Sequence, residues 1–203
     1  MKMLFPAVTA AVLLTAATGV SAASSVDLAV KGLITPSACT PNMSNGGVID
    51  HGKIAAKDLK PDNPTVIGNH TLTLTISCDA ALAFAFCSTD NRASGVQSYY
   101  RLGMLEGTQT LGAYLLWLEK PIADGVAVQT ITSWDNTTWA KEDDWAPGYY
   151  MSVATIDGDN LPLPTKELVV DLHVQSIIYG TEDMDLSSEV TIDGSTTVEV
   201  KYL

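Results

Sequence analysis

A two-residue alternation of apolar and polar side chains recurs along this sequence and constrains the fold more than any other feature. In residues 70–79 (HTLTLTISCD), Leu72, Leu74 and Ile76 alternate with threonines. Residues 166–180 repeat the pattern, with its apolar set at Leu168, Val170, Leu172 and Val174. Such alternation puts one set of side chains on each face of a strand, and no segment sustains the 3.6-residue period of a helix. The pattern predicts an all-β chain.

Turn-forming residues separate these strand-like segments. They form clusters such as SNGG at residues 44–47, PDNP at 61–64 and DGDN at 157–160, and these residue types favour tight turns. Residues 112–120 (GAYLLWLEK) are nearly all apolar, which suits a strand buried on both faces. Many short strands joined by turns are typical of a β-sandwich, and a chain of 203 residues is long enough to bury the core of one.

The first 22 residues have the composition of an export signal. Lys2 precedes an apolar run, and Ser21 and Ala22 supply small residues before Ala23. This order is typical of a secretory signal peptide, here residues 1–22. A membrane anchor is the alternative, but Pro6 interrupts the run, which is also short for a membrane span. We therefore expect an exported protein.

Charge and motif content exclude several classes of function. The formal net charge is −12, which repels phosphate backbones, so no nucleic-acid partner is expected. His51, His70 and His173 lack the spacing of a zinc site. Residues 157–160 lack the downstream glutamate of a calcium loop and are expected to form a hairpin turn. Because no nucleophile elbow is present either, we expect no enzyme, no metal and no cofactor.

Three cysteines occur, at positions 39, 78 and 87. An exported protein is expected to contain a disulfide, and we favour Cys39–Cys78, because these two flank a long loop beside strand-like runs. Closing a loop of roughly 40 residues stabilises a fold by about 3–4 kcal/mol in the chain-entropy model. Cys87, within the apolar run FAFC, is expected to be a small buried hydrophobe rather than a reactive thiol.

Three tryptophans lie close together in residues 133–145 (SWDNTTWAKEDDW), at Trp134, Trp139 and Trp145. Exposed aromatic rings can stack on sugar rings, so this loop is a candidate ligand site for a host glycan or surface. The alternative is that the three indoles pack over an edge of the sandwich.

Several segments of this sequence resemble known families. Residues 30–39 (VKGLITPSAC), the cysteine that ends LTLTISC, and Tyr202 as penultimate residue of an alternating final strand resemble a chaperone–usher pilin subunit. Longer stretches, among them residues 57–80, TDNRA at 89–93 and VTIDGSTTVEVKYL at 190–203, resemble a proteobacterial family of fimbrial-like exported proteins of unknown function. Cys87 departs from that family's pattern.

The pilin resemblance implies an immunoglobulin-like β-sandwich that lacks its final strand. A strand of a periplasmic chaperone first fills the resulting groove, and the N-terminal extension of another fimbrial subunit replaces it after delivery to an outer-membrane usher. Residues 32–203 would form the sandwich, which ends in mid-strand with Val198, Val200 and Tyr202 lining the groove. Residues 23–31 would be the donor strand, with Val26, Leu28 and Val30 as its inserted side chains.

The expected function is therefore that of a structural subunit of a surface fimbria, which passes through the periplasm to the cell surface. One alternative is a secreted or fimbria-associated adhesin that binds carbohydrate through the tryptophan loop. Another is that Val26, Leu28 and Val30 belong to the first strand of a sandwich that is complete in itself.

Overall fold

The computed structural model of this protein describes residues 29–30, 38–93, 98–105, 107 and 109–203. Contacts divide the chain into two units, Met1–Ile34 and Thr35–Leu203. In the first unit Ala29 and Val30 are described, and both are exposed. The candidate signal peptide and the donor-strand residues Val26 and Leu28 lie outside the described residues. All elements named from here on belong to the second unit.

The described part of the second unit consists of short and medium-length strands. Two 3₁₀ turns, Ser44–Gly47 and Ala56–Asp58, are its helical elements. Within these residues, no helix has the length and apolar character that would cross a membrane. The strands are β1 (Cys39–Met43), β2 (Thr65–Leu82), β3 (Phe84–Asp90), β4 (Tyr100–Arg101), β5 (Met104–Leu105), β6 (Gln109–Thr110), β7 (Gly112–Ala123), β8 (Val126–Ala127), β9 (Gln129–Ser133), β10 (Ala140–Lys141), β11 (Tyr150–Ala154), β12 (Thr165–Ile178) and β13 (Thr196–Tyr202).

The strands form two main sheets, and all of their pairings are antiparallel. The first sheet has the order β1-β2-β12-β7-β4, with β8 also paired to β7, and the second has the order β10-β9-β11-β3-β13. β5 and β6 form a separate two-stranded ribbon. The expected all-β class is confirmed, and the arrangement is that of an immunoglobulin-like β-sandwich.

The core lies between the inner faces of the two sheets. The alternating apolar residues of β2 and β12 supply one wall, and Phe84 and Phe86 of β3 and Met151 of β11 belong to the other; all of these side chains are buried. β7 differs from its prediction, because Leu116 and Leu118 are buried whereas Leu115 and Trp117 are only half-buried. The outer face of an antiparallel sheet meets solvent, so β7 is not covered equally on both sides.

The DGDN segment forms a turn but not a hairpin turn. It lies between β11 in the second sheet and β12 in the first. Asp157 has a positive φ of 57° there, which marks the sharp change in direction. The prediction of a hairpin was wrong because a turn signal does not say whether the strands on its two sides share a sheet.

The disulfide between Cys39 and Cys78 is confirmed. The two residues lie opposite each other in the β1–β2 pairing, so the bond ties the edge strand β1 to its neighbour. Cys87 is a free thiol and is only half-buried, so the expectation of a buried hydrophobe was wrong. Because Phe84 and Phe86 take the inner face of β3, the alternation directs Cys87 outward, opposite Glu199 of β13. Burial still raises the pKa of the Cys87 thiol.

Candidate functional site

The two long edges of the sandwich differ, and one of them is closed. Residues 140–145 cross from the second sheet to the first: Ala140 and Lys141 form β10, and the Trp145 amide donates a hydrogen bond to the Leu116 carbonyl of β7 at 2.9 Å. The Trp145 side chain fills the core at this edge, 6.1 Å from the Phe86 ring between centroids. Its Nε1 donates to the Tyr149 carbonyl at 3.0 Å.

The opposite edge of the second sheet is formed by β13, whose outer side pairs with none of the described strands and is called the open edge. In the part of the chain that the structure describes, β13 pairs with β3 and with no strand on its other side. Asn91 donates to the Ser195 carbonyl and Leu203 donates to the Ala83 carbonyl, so the odd-numbered residues bond to β3. In an antiparallel pair the intervening residues point their backbone groups the other way. Val198 and Val200 therefore direct their N–H and C=O groups toward the open edge.

The side chains predicted to line the groove share one face of β13. Val198 and Val200 are half-buried and pack against the core. Tyr202 is 40% exposed, and its hydroxyl accepts a hydrogen bond from the Cys39 amide at 3.0 Å. This bond links the last strand to the first, beside the disulfide. It bridges the two sheets at one end of the open edge.

The other end of β13 is also held in place. The Tyr114 hydroxyl of β7 and the Thr196 hydroxyl lie 2.5 Å apart. Burial raises the pKa of Tyr114 to about 12, so this tyrosine stays neutral. Arg92 forms an ion pair with Asp193 at 2.7 Å just before the strand begins. β13 is thus pinned at both ends while the edge between them faces outward.

A groove with a mixed apolar and polar lining lies beneath the beginning of this open edge. A cavity of about 300 Å³ lies between residues 194–198 and the inner face of the first sheet, so that Val198, but neither Val200 nor Tyr202, lines it. A second cavity of about 630 Å³ adjoins it between residues 49–54 and 186–192. Ile49, His51 and Ile192 line both cavities, so the two cavities adjoin at these residues, and together they are called the groove. The apolar lining of the 300 Å³ part comprises Met43, Ile49, Leu72, Leu102, Leu116, Leu172, Val174, Ile192 and Val198.

A polar cluster that the sequence did not predict includes His51, which lines both cavities of the groove. The rings of His51 and His70 meet edge to face, with centroids 5.1 Å apart, and His51 Nε2 is 3.1 Å from the Ser176 hydroxyl. Gly68 makes this approach sterically feasible, because a Cβ there would lie 2.7 Å from His70 Nε2 and 2.8 Å from His51 Cε1. Strand alternation already put His70 on the inner face with Leu72. The position of His51, on a connecting segment, had no such signal.

The three predicted ligand-loop tryptophans do not form one surface. Trp145 is 1% exposed, Trp139 is half-buried and Trp134 is 72% exposed. The Asp135 carboxylate organises the turn between Trp134 and Trp139 by accepting hydrogen bonds from the Thr137 and Thr138 amides, which hold the pKa of that carboxyl far below its usual range. The adhesin alternative required three indoles on one surface, and of the three only the Trp134 ring is mostly exposed for stacking on a sugar.

Metal-ligating side chains are not gathered in the described residues: no group of three or more His, Cys, Asp or Glu side chains there is arranged to hold a metal ion. The groove, with its open strand edge and the apolar part of its lining, has a chemical capacity of its own. That capacity is to accept an extended peptide, through main-chain hydrogen bonds to β13 and apolar contacts to the lining.

Similarity to known proteins covers both the sandwich and the N-terminal unit. Residues 28–113 match the family described as "Protein of unknown function (DUF1120)". "Uncharacterized protein YhcF" of Escherichia coli (strain K12) is 25% identical to this chain in an alignment 223 residues long, which covers 90% of this chain and 92% of that protein. "Protein GltF" of the same organism is 26% identical in an alignment 250 residues long, which covers 100% of this chain and 98% of that protein. The expected resemblance to a family of unknown function is thus met over residues 28–113.

Proposed function

We propose that this chain is a structural subunit of a surface fimbria, assembled by the chaperone–usher route through donor-strand exchange. The observation that carries the proposal is the edge of β13, which is unpaired in the described residues and lies above a groove whose floor is apolar. A row of unpaired backbone groups beside apolar side chains is a template for pairing with another chain, and so an aggregation hazard for an isolated subunit. A partner strand removes the hazard by pairing with β13 and covering the groove.

Residues 23–31 of another copy have the properties of the final occupant. β13 has seven residues, a length of about 23 Å at the usual rise of roughly 3.3 Å per residue, and nine extended residues reach about 30 Å. Val26, Leu28 and Val30 alternate with Asp27, Ala29 and Lys31, so one apolar face of this segment would meet the groove. In the proposed route a strand of the periplasmic chaperone holds the same place until exchange.

Burial of these three side chains stabilises the sandwich that the donor strand completes. Each Val or Leu that leaves water contributes roughly 1.5–3 kcal/mol. Part of this gain offsets the ordering of a flexible extension. Because the contribution comes from only three inserted side chains, the assembly should be sensitive to a single charge among them.

A pair of substitutions in the extension tests the proposal. Leu28→Asp places a carboxylate on the inserted face, and Ala29→Asp places the same charge one residue away on the other face. We expect the Leu28 variant to fold as a monomer but to form no polymers, whereas the Ala29 variant polymerises like the wild type. Polymers of undiminished length from the Leu28 variant would overturn the donor assignment.

A further inference from the structure

His51 lies in one wall of the groove and contacts the first sheet. The wall consists of residues 48–54, which follow β1 and the 3₁₀ turn Ser44–Gly47, and none of these residues belongs to a strand. Two contacts link them to the inner face of the first sheet: Ile49 packs against the core, and the His51 ring contacts His70 of β2 and Ser176 of β12. Ile49 and His51 line both cavities of the groove, so the position of this segment sets the width of the groove.

The surroundings of His51 disfavour a charged imidazole. His70 presents a second imidazole from β2, and β12 offers the Ser176 hydroxyl. Asp50, on the same segment, acts in the opposite direction and is the weaker influence. Across the groove Glu189 is already paired with Lys53 at 3.2 Å, and this pair is almost fully exposed, so it contributes little.

We propose that the contact of His51 with His70 and Ser176 is an acid-sensitive clasp, which holds residues 48–54 against the first sheet at neutral pH and releases them in acid. The ligand that this regulates is an extended apolar peptide, because the released wall lines the peptide groove. That regulatory meaning rests on the proposed function, whereas the clasp itself is a property of the isolated chain.

The sign of the effect follows from the burial of His51. Burial, with a smaller influence of His70, lowers the pKa of His51 from its ordinary value of about 6.5. His51 therefore binds a proton more readily when residues 48–54 are released than when they are docked. Docking is fully stable above about pH 6.5 and weakens as the pH falls toward the lowered pKa of the docked ring.

Hydrogen exchange of the isolated protein tests the clasp. Protection of the amides of residues 48–54, corrected for the intrinsic pH dependence of exchange, should fall by up to about tenfold per pH unit below about pH 6.5, because one proton is linked to release. In His51→Gln this fall should disappear. His173→Gln serves as the matched control, since His173 lies on the outer face of the same sheet against Trp117, and it should behave like the wild type.

Two results would overturn the clasp: protection of residues 48–54 that does not change with pH in the wild type, or a fall that persists in His51→Gln. If His51→Gln does not fold, His70→Gln, which removes the other ring, should weaken the pH dependence, and an unchanged fall would again contradict the clasp. The assay contains no partner, so it separates the two proposals. Loss of the fimbrial role would leave the exchange pattern intact, and flat exchange in a protein that still polymerises would remove the clasp alone.

Discussion

Trp145 is the side chain that closes one edge of the sandwich. It is 1% exposed, packs near Phe86 and donates its Nε1 hydrogen to the Tyr149 carbonyl. Trp145→Ala would leave a cavity and an unpaired carbonyl. We expect it to lower the free energy of unfolding by about 3–5 kcal/mol, measured by urea denaturation.

Trp134→Ala is the matched control for Trp145→Ala. Its side chain is 72% exposed, so Trp134→Ala should change the free energy of unfolding by less than about 0.5 kcal/mol. Equal losses in the two variants would show that the closed edge is not built as described. The residue type alone could not separate these two roles, because both indoles stand in the same polar, turn-rich stretch. Only the crossing of residues 140–145 between the sheets distinguishes them.

The edge strand β1 depends on the disulfide more than on its own burial. It has five residues, of which Thr40, Pro41 and Asn42 are exposed, so its packing contributes little. The disulfide joins residues that are 39 positions apart in the sequence. Replacing both cysteines, as Cys39→Ser with Cys78→Ser, should cost about 3–4 kcal/mol of unfolding free energy in the chain-entropy model.

Cys87→Ser is the control for this pair of substitutions. Its thiol is free, so adding reductant should not change the difference between this variant and the wild type. A double variant as stable as the oxidised wild type in urea denaturation would contradict the structural role of the bond.

The final strand β13 should show the same alternation in binding that it shows in burial. Val198 faces the groove and Thr197 faces away from it, so Val198→Asp should abolish capture of a peptide with the sequence of residues 23–31, and Thr197→Asp should not. Fluorescence titration of labelled peptide measures this capture, and equal capture by the Val198 and Thr197 variants would refute the face assignment.

Tyr202→Ser removes an apolar ring and the acceptor of the Cys39 amide. We expect this change to weaken capture by the chaperone, at roughly 1.5–3 kcal/mol for the lost burial. Co-purification with the chaperone measures the effect.

Period-two patterns are reliable for elements whose two faces differ. Alternation predicts the buried faces of β2 and β12 and the inward valines of β13, because each of these strands has one solvent-exposed face and one face toward the core. Alternation does not predict burial correctly where strands distant in the sequence determine what surrounds a side chain. The outer face of β7, the outward Cys87 and the change of sheet after β11 depend on which strands become neighbours, and no local signal carries that information.

The groove brings together residues that are far apart in the sequence. Met43, Leu172 and Val198 line the same cavity although they come from β1, β12 and β13. The sequence predicted an apolar final strand and a disulfide-linked first strand, but not that Tyr202 would bridge them or that His51 would dock beside them. Those contacts depend on the twist and closure of two sheets, which local patterns do not encode.

The two edges of the sandwich differ in whether the described chain fills them itself. One edge is filled by the protein's own residues 140–145, and the other presents β13 with a free outer side in the described residues. If another chain completes that side, the product is a polymer whose subunits separate only when a strand leaves its groove. Extraction of a strand requires partial unfolding, which is slow at room temperature and fast on heating.

The most direct test of this claim is a denaturing gel of a cell-surface extract, with boiled and unboiled samples side by side. We expect a ladder of oligomers in the unboiled lane that collapses to monomer after boiling, because inserted strands resist detergent until heat unfolds the subunits. A single monomer band in both lanes would contradict assembly by donor-strand exchange and would favour a sandwich that is complete in itself.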